Sequence, residues 1–255
     1  MQEFKTEHLT VRIYPTRKEL GLQAAITAAA TLRYLLANKK TINIIFAAAP
    51  SQQEFLEALR VQPGIDWHRV SAFHMDEYIG LAAEAPQGFG NFLRSRIFSQ
   101  VDFHAVHYID GQAGESAAVK YAALLEVHPP DVVFMGIGEN GHLAFNDPPV
   151  ANFHDTHPVK VVELDAMCRQ QQVNDGCFGE LAQVPTHAIT LTIPALMQAP
   201  YIYCMVPGAT KQQAVYNTLH QSVHTEFPST ILRTHPGAIL FLDEQSSELL
   251  ATKKH

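Results

Sequence analysis

MGIGENGHLAFNDPP, residues 135–149, begins within the last residues of the apolar run DVVFMGI (131–137). A buried strand that ends in glycines and then in polar side chains is typical of parallel α/β sheets, which bind ligands beyond the carboxyl ends of their strands. Glycine lets the backbone turn sharply and approach a ligand. His142 is a proton carrier near neutral pH, and Asp147 follows closely enough to orient it. A structural turn with a hydrogen-bonded histidine remains the alternative interpretation.

Strands and helices alternate on both sides of this stretch. Apolar runs predict strands at 41–50, 69–75, 105–109, 131–137, 187–193, 201–206 and 238–242. Helical spacing predicts helices at 20–37, 51–59, within 88–98 and at 210–219. This alternation predicts an α/β fold with a mostly parallel sheet and helices on both faces. We expect a single domain over residues 1–255.

Composition limits the function classes. The chain has 255 residues, 47% of them hydrophobic, and a net charge of -7, so no basic face points to nucleic acid. Its three cysteines show no CxxC spacing, which favours a reducing compartment. The N-terminal MQEFKTEHLT lacks the apolar core of a signal peptide, and LQAAITAAATLRYLL is too short to span a bilayer. We therefore expect a cytoplasmic protein without a membrane partner.

Two strand-to-helix turns are candidate anion sites. In AAAPS (47–51), Ala48 and Ala49 are small, and Ser51 with Glu54 forms a capping-box pattern. Unpaired N–H groups at a helix start bind anions, although Ser51 acting only as a helix cap is the alternative. In PGATKQQA (207–214), Lys211 lies in the first helical turn. A cation at this end of a helix is destabilised by the helix dipole, and a bound phosphate would offset that destabilisation. A solvated lysine is the alternative there.

The stretch AFHMDEYIG (72–80) brings Asp76 and Glu77 to the end of a strand. Crowded carboxylates suit general-base catalysis because one pKa rises toward neutrality. An ordinary turn with solvated acids is the alternative. Histidines also invite a metal hypothesis, but neither the group around His74 nor HDTH (154–157) matches a known zinc pattern. We expect no metal.

FHMDEYIGL and MGIGENGHLAFNDP resemble the two signature segments of glucosamine-6-phosphate deaminases (isomerases), F-x-M-D-E-Y-x-G-L and G-x-G-x-D-G-H-I-A-F-N-E-P. The resemblance includes residues 42–59, VPTHAITLTIPALMQA (184–199) and the helix of Lys211, and so covers most of the chain. The related 6-phosphogluconolactonases read D-E-R and G-H-T-A-S-L-F-P instead, so DEY and GHLAFNDP favour the amino-sugar branch. The resemblance implies a Rossmann-like α/β sandwich without cofactor or metal.

The resemblance also implies a reaction, the conversion of glucosamine 6-phosphate to fructose 6-phosphate and ammonia. Asp76 would move a proton between C2 and C1, and His142 would protonate the ring oxygen with support from Asp147. Glu77 is a further candidate for support. The residues expected to hold the 6-phosphate are Ala48, Ala49, Ser51, Arg169 and Lys211.

Three departures from the family pattern bear on activity. Asn140 stands where the family has Asp; an amide orients His142 but cannot neutralise it, so we expect a weaker proton acceptor unless Glu139 compensates. Asp147 replaces a Glu and should reach about one ångström less far, since it lacks one methylene. AAAPS replaces G-G-[ST]-P, so the hydroxyl before the proline is absent.

These departures keep several functions open. The substrate is expected to be a small sugar phosphate, either glucosamine 6-phosphate or its galactosamine equivalent. The chain could isomerise without releasing ammonia, act as a phosphosugar lactonase or isomerase of the same superfamily, or sense a sugar phosphate without turning it over. A homo-oligomer is also left open by the sequence.

Overall fold

The computed structural model describes residues 1–252 and the side chains of residues 1–250. The strands are β1 (Gln2–Thr6), β2 (Leu9–Tyr14), β3 (Ile42–Phe46), β4 (Val70–His74), β5 (Asp76–Tyr78), β6 (Ala105–His107), β7 (Val132–Met135), β8 (Val159–Glu163), β9 (His187–Leu191), β10 (Tyr201–Val206) and β11 (Ala238–Asp243). The helices are α1 (Arg17–Asn38), α2 (Gln53–Arg60), α3 (Phe89–Leu93), α4 (Glu115–Val127), α5 (Ala166–Asn174), α6 (Ile193–Met197), α7 (Gln212–His220) and α8 (Glu248–Thr252).

The main sheet has eight strands in the order β1-β2-β11-β10-β7-β3-β4-β6. All neighbouring pairs are parallel except β1 with β2. Side chains alternate between the faces, so Ile44 and Phe46 join one apolar cluster with α1 and α2, while Ile45 joins the other with α4 and α7. Burial of both faces confirms the predicted α/β class.

A second sheet differs from the prediction. The strand predicted at 187–193 does not join the parallel sheet; it is β9, which pairs antiparallel with β5 and β8 in a three-stranded sheet. In this sheet Asp76 lies opposite Thr190. The small sheet therefore fixes the backbone of the DEY segment beside the end of the main sheet.

The structure differs in detail from both predicted helix starts. Residues Pro50–Gln52 form a short 3-10 turn before α2, and Ala49, which precedes the turn, has no capping side chain. The capping box of Ser51 with Glu54 is therefore wrong. Lys211 ends a similar turn, Ala209–Lys211, immediately before α7.

Helix α1 is the longest helix among the described residues. Its length and apolar composition alone would suffice to cross a membrane, but half of the relevant stretch is buried inside the fold. Ala24 and Ala28 are fully covered, and the small side chains let α1 pack closely on α2 and β11. This is the packing of a core helix.

Candidate active site

A cavity of about 310 Å³ lies where β3, β4, β7 and β10 end. Sites for small molecules start at about 300 Å³, so this cavity has the size of a small-molecule site. Its walls include six of the residues that the sequence singled out: Ala48, Ala49, Ser51, Asp76, His142 and Lys211. The turns from separate strands thus converge on one space, as the parallel sheet requires.

The turn that carries His142 depends on two glycines. A Cβ atom at Gly138 would lie 2.2–2.4 Å from three atoms of the His142 ring, so only glycine lets the imidazole lie over this backbone. Gly141 has a φ of +89°, in the left-handed region that other residues rarely adopt. The glycines of this stretch therefore place the imidazole at the cavity wall.

Asn140 connects His142 to Asp147. Its Oδ1 accepts from the backbone N–H of His142 at 3.0 Å and lies 2.8 Å from Nδ1, while its Nδ2 donates to Asp147 Oδ1 at 2.8 Å. Asp147 Oδ1 itself lies 2.9 Å from His142 Nδ1. Because both neighbours of Nδ1 are acceptors, this nitrogen carries the proton, and Nε2 is left to exchange a proton with a ligand.

Asp147 is almost fully buried, with 1% exposure. Burial alone would raise its pKa, but the charge of His142 and the hydrogen bonds from His142, Asn140 and Cys168 lower the pKa below its usual value. Asp147 therefore remains an anion next to the imidazole. Although it is one methylene shorter than the Glu of the family pattern, the Asp147 side chain contacts His142.

Glu139 does not supply the compensating charge. Its backbone N–H donates to Gln171 Oε1 at 2.8 Å, and its own Oε1 is buried without a hydrogen-bond partner among the described residues. The carboxylate that balances His142 is that of Asp147. Asn140 and Asp147 together thus replace the Asp and Glu of the family pattern.

Cys168 completes a three-residue group with His142 and Asp147, whose possible ligand atoms lie within 4.8 Å of one another. This group is neither of the metal candidates taken from the sequence. Burial and the negative charge of Asp147 raise the pKa of the Cys168 thiol, which therefore keeps its proton at neutral pH. Since zinc binds the thiolate, the group fits a hydrogen-bonded network better than a metal centre.

Asp76 lines the same cavity as His142. It is 7% exposed, and its carboxylate accepts no hydrogen bond among the described residues. Burial, and then the charge of Glu77, raise the pKa of Asp76 well above its usual value. Its carbonyl accepts from His74 Nδ1 at 2.9 Å, and the backbone N–H of Ile109 donates to Nε2 of the same ring, so a neutral His74 holds the Asp76 backbone.

Glu77 points away from the cavity, because neighbouring residues of a strand face opposite sides. Its carboxylate accepts from the backbone N–H groups of Tyr78, Phe89 and Gly90 at 2.9–3.0 Å. Glu77 therefore caps the start of α3. It acts on the cavity only through its charge, which contributes to the raised pKa of Asp76.

The turns after β3 and β10 form the cationic end of the cavity. Lys211 is 5% exposed, and burial lowers its pKa while the charges of Asp175 and Glu139 oppose that shift. A buried ammonium group in a cavity wall favours an anionic ligand. Ser51 adds a hydroxyl group on the same wall.

The expectation for Arg169 requires correction. Its guanidinium group donates to the carbonyls of Leu181 and Val184 at 2.8 and 2.9 Å, and it does not line the cavity. Arg17, at the start of α1, does line the cavity, where it pairs with Glu54 at 2.7 Å. Sequence reasoning missed Arg17 because it is distant in the chain from every motif.

A family model for glucosamine-6-phosphate isomerases/6-phosphogluconolactonase matches residues 15–241. The chain belongs to this family. The matched range includes every element that contributes to the cavity.

Relatives within the family support the amino-sugar branch. The chain is 37% identical to a glucosamine-6-phosphate deaminase of Exiguobacterium over 184 residues, which are 71% of this chain and 70% of the relative. It is 32% identical to a glucosamine-6-phosphate deaminase of Listeria innocua over 211 residues, which are 82% of this chain and 88% of the relative.

Solved structures share the fold. A monomeric glucosamine-6-phosphate deaminase superposes with a TM-score of 0.85 at 24% identity, over 94% of this chain and 99% of that one. A 6-phosphogluconolactonase of Thermotoga maritima gives a TM-score of 0.75 at 19% identity, over 92% of this chain and 99% of that one. At these identities the structures show a common scaffold.

Proposed function

We propose that this chain converts glucosamine 6-phosphate and water to fructose 6-phosphate and ammonia. The observation that carries the proposal is the pair of groups that line one cavity: a buried Asp76 with a raised pKa, and His142 with its Nδ1 held by an anionic Asp147. The relatives named glucosamine-6-phosphate deaminase support the choice of substrate.

His142 would open the sugar ring. In a cyclic sugar the C1 hydroxyl loses a proton and the ring oxygen gains one, so one group that accepts and returns a proton suffices. With Nδ1 protonated, Nε2 accepts this proton, and the resulting imidazolium is stabilised by Asp147 at 2.9 Å. Asn140 carries no negative charge, so Asp147 supplies the charge that stabilises the imidazolium.

Asp76 would then act as the base. It removes the proton from C2 of the open chain while the substrate ammonium group gives one proton to the C1 oxygen, which leaves an enol that carries a neutral amino group. Asp76 then returns the C2 proton to C1. The product is an iminium at C2, and water adds to this carbon and releases ammonia. A base is more effective as its pKa approaches the working pH, and burial moves the pKa of Asp76 upward from its usual value.

Ser51, Lys211 and Arg17 would hold the 6-phosphate at the other end of the cavity. Ala48 and Ala49 leave their backbone accessible beside them, and binding at this remote group orients the sugar for proton transfer. Glucosamine 6-phosphate thus spans the cavity, with its phosphate at the cationic end and C1–C2 near Asp76.

We infer the remaining properties from the same family. The proposed partner is a small sugar phosphate, and neither nucleic acid nor a membrane is required. A cytoplasmic location agrees with the three cysteines, which are free thiols in the structure. A homo-oligomer stays a prediction from the sequence, as does the single-domain organisation.

The test is ammonia release from glucosamine 6-phosphate, with galactosamine 6-phosphate and 6-phosphogluconolactone in parallel. We expect ammonia from glucosamine 6-phosphate and its loss in Asp76→Asn. Asp66→Asn is the matched control, because this exposed carboxylate pairs with Arg69 outside the cavity. Lactone hydrolysis without ammonia, or binding without turnover, would overturn the proposal.

A further inference from the structure

Gln52 is a buried polar side chain that the proposed reaction does not use. It is 1% exposed and does not line the cavity. Its Nε2 lies 3.2 Å from Ser51 Oγ and 3.2 Å from the carbonyl oxygen of Met205. Its Oε1 is buried without a hydrogen-bond partner among the described residues. A side chain in this position requires an explanation, because buried polar atoms are normally paired.

The surroundings determine which way the amide points. The Met205 carbonyl can only accept, so the nitrogen end of the Gln52 amide faces it and donates. The same nitrogen therefore also donates to Ser51 Oγ. Because that oxygen acts as the acceptor, the single hydroxyl proton of Ser51 is directed elsewhere. Ser51 lines the cavity, so this proton is available to a ligand there.

The amide is held by close packing as well as by hydrogen bonds. A Cβ atom at Gly136 would lie 3.0 Å from Gln52 Nε2 and 3.5 Å from Ser51 Oγ. Glycine at the end of β7 thus leaves just enough room for the Gln52 amide, between the ends of β3 and β10. An apolar residue at position 52 would avoid the unpaired Oε1, so the donor function of Nε2 is what the glutamine adds.

We infer that Gln52 is a positioning residue that makes Ser51 a hydrogen-bond donor toward an anionic oxygen of the ligand. This inference rests on the proposed function, which places the sugar phosphate at this end of the cavity. A hydroxyl whose proton is directed into the cavity matches phosphate oxygens, which are acceptors at neutral pH. Gln52 thereby favours the phosphorylated form of the sugar without touching it.

The first variant is Gln52→Met, which keeps the length of the side chain and removes the donor. We expect KM for glucosamine 6-phosphate and the Kd for inorganic phosphate to rise about tenfold, the effect of one hydrogen bond to a charged group. We expect kcat to change less than about threefold, since the proton-transfer groups are untouched. Thermal unfolding checks that the variant folds.

The second variant is Gln52→Glu, which has nearly the same shape as glutamine. At a pH where the introduced carboxyl group is ionised, it cannot donate to Ser51 Oγ and adds a negative charge near the phosphate, so we expect weaker phosphate binding than in Gln52→Met. This isosteric change keeps the test informative if methionine disturbs packing against Gly136.

The decisive comparison adds Ser51→Ala and the double variant with Gln52→Met. If Gln52 acts through Ser51, Gln52→Met has no further effect on phosphate binding once the hydroxyl is gone. Equal losses in both backgrounds, or unchanged phosphate binding in Gln52→Met, would overturn the inference. If the wild-type protein binds phosphate but releases no ammonia, the proposed function fails and the role of Gln52 stands.

Discussion

Asp76 and Asp147 are two buried aspartates at one edge of the sheet, and their surroundings move their pKa values in opposite directions. Asp76 lines the cavity with no hydrogen bond to its carboxylate among the described residues, and its pKa is raised. Asp147 lies behind the cavity wall beside His142 and Asn140, and its pKa is lowered. Burial by itself raises the pKa of both carboxyl groups.

The difference shows that burial alone does not determine the charge of a carboxyl group. Desolvation favours the neutral acid at both positions, but the interaction with His142 and the hydrogen bonds to the carboxylate reverse that preference at Asp147. Because the two environments move the two pKa values apart, Asp76 is suited to exchange protons and Asp147 stays charged. The following predictions test this separation, beginning with the largest effect.

Asp76→Asn should abolish most of the activity. Without a base near C2, we expect kcat for ammonia release to fall by about 10³-fold or more, toward the upper part of the range for general-base catalysis. A spectrophotometric ammonia assay measures the loss. A decrease of less than about tenfold would mean that another group removes the proton.

The same variant should be more stable than the wild type at neutral pH. A carboxyl group whose pKa is raised in the folded state favours folding below its unfolded pKa, and this contribution is lost as the pH rises through the folded pKa. Asparagine never acquires the buried charge. Thermal unfolding should therefore show a higher Tm for Asp76→Asn at pH 7 and a smaller difference at pH 4.

Asp147→Asn should reduce both activity and stability. An amide cannot balance the His142 imidazolium, so we expect kcat to fall about a hundredfold, with little change in KM. Asp147 favours folding above its unfolded pKa, and that contribution is lost as the pH falls through its lowered folded pKa. The loss of stability in urea unfolding should therefore be large at pH 7 and shrink in acid. Equal stability at pH 7 would contradict the assignment.

Asn140→Asp should impair the enzyme slightly. It restores the family residue but removes the donor to Asp147 and places two carboxylates about 2.8 Å apart. We expect a loss of about 1–3 kcal/mol of stability at pH 7 and a decrease in kcat of less than about tenfold. A gain in kcat would mean that Asn140, despite Asp147, limits proton transfer by His142.

Cys168→Ala should have the smallest effect. The thiol is one of the groups that lower the pKa of Asp147, but His142 and Asn140 remain. We expect kcat to change less than about threefold and stability to fall by about 1 kcal/mol, the contribution of one weak hydrogen bond and some packing. Cys177→Ala, which removes a thiol that is not in the group with Asp147, is the matched control.

Much of the fold and part of the site follow from the sequence. Long apolar runs such as 131–137 and 201–206 are buried on both faces, so they are recognisable as parallel strands. The ends of such strands meet at one edge, which is why the sequence alone assigns Asp76, His142 and Lys211 to one site, and all three line the cavity.

Other features depend on contacts between distant parts of the chain. β1 is mostly exposed and β8 is only partly buried, so neither has a long apolar run. β9 joins a separate sheet although its sequence pattern resembles that of the central strands. Arg17 reaches the cavity from α1, whereas Arg169 is held by two backbone carbonyls. The 2.9 Å contact between Asp147 and His142 needs the turn geometry that Asn140 completes.

The most direct test of this account is a pH titration of the two carboxyl groups by NMR, with carboxyl-¹³C aspartate in the wild-type protein. The Asp76 and Asp147 signals are assigned by their loss in Asp76→Asn and Asp147→Asn. We predict that the pKa of Asp76 lies above the reference value of about 3.9 and that of Asp147 below it. The reverse order, or two carboxyl groups that titrate together near this value, would contradict the separation of roles.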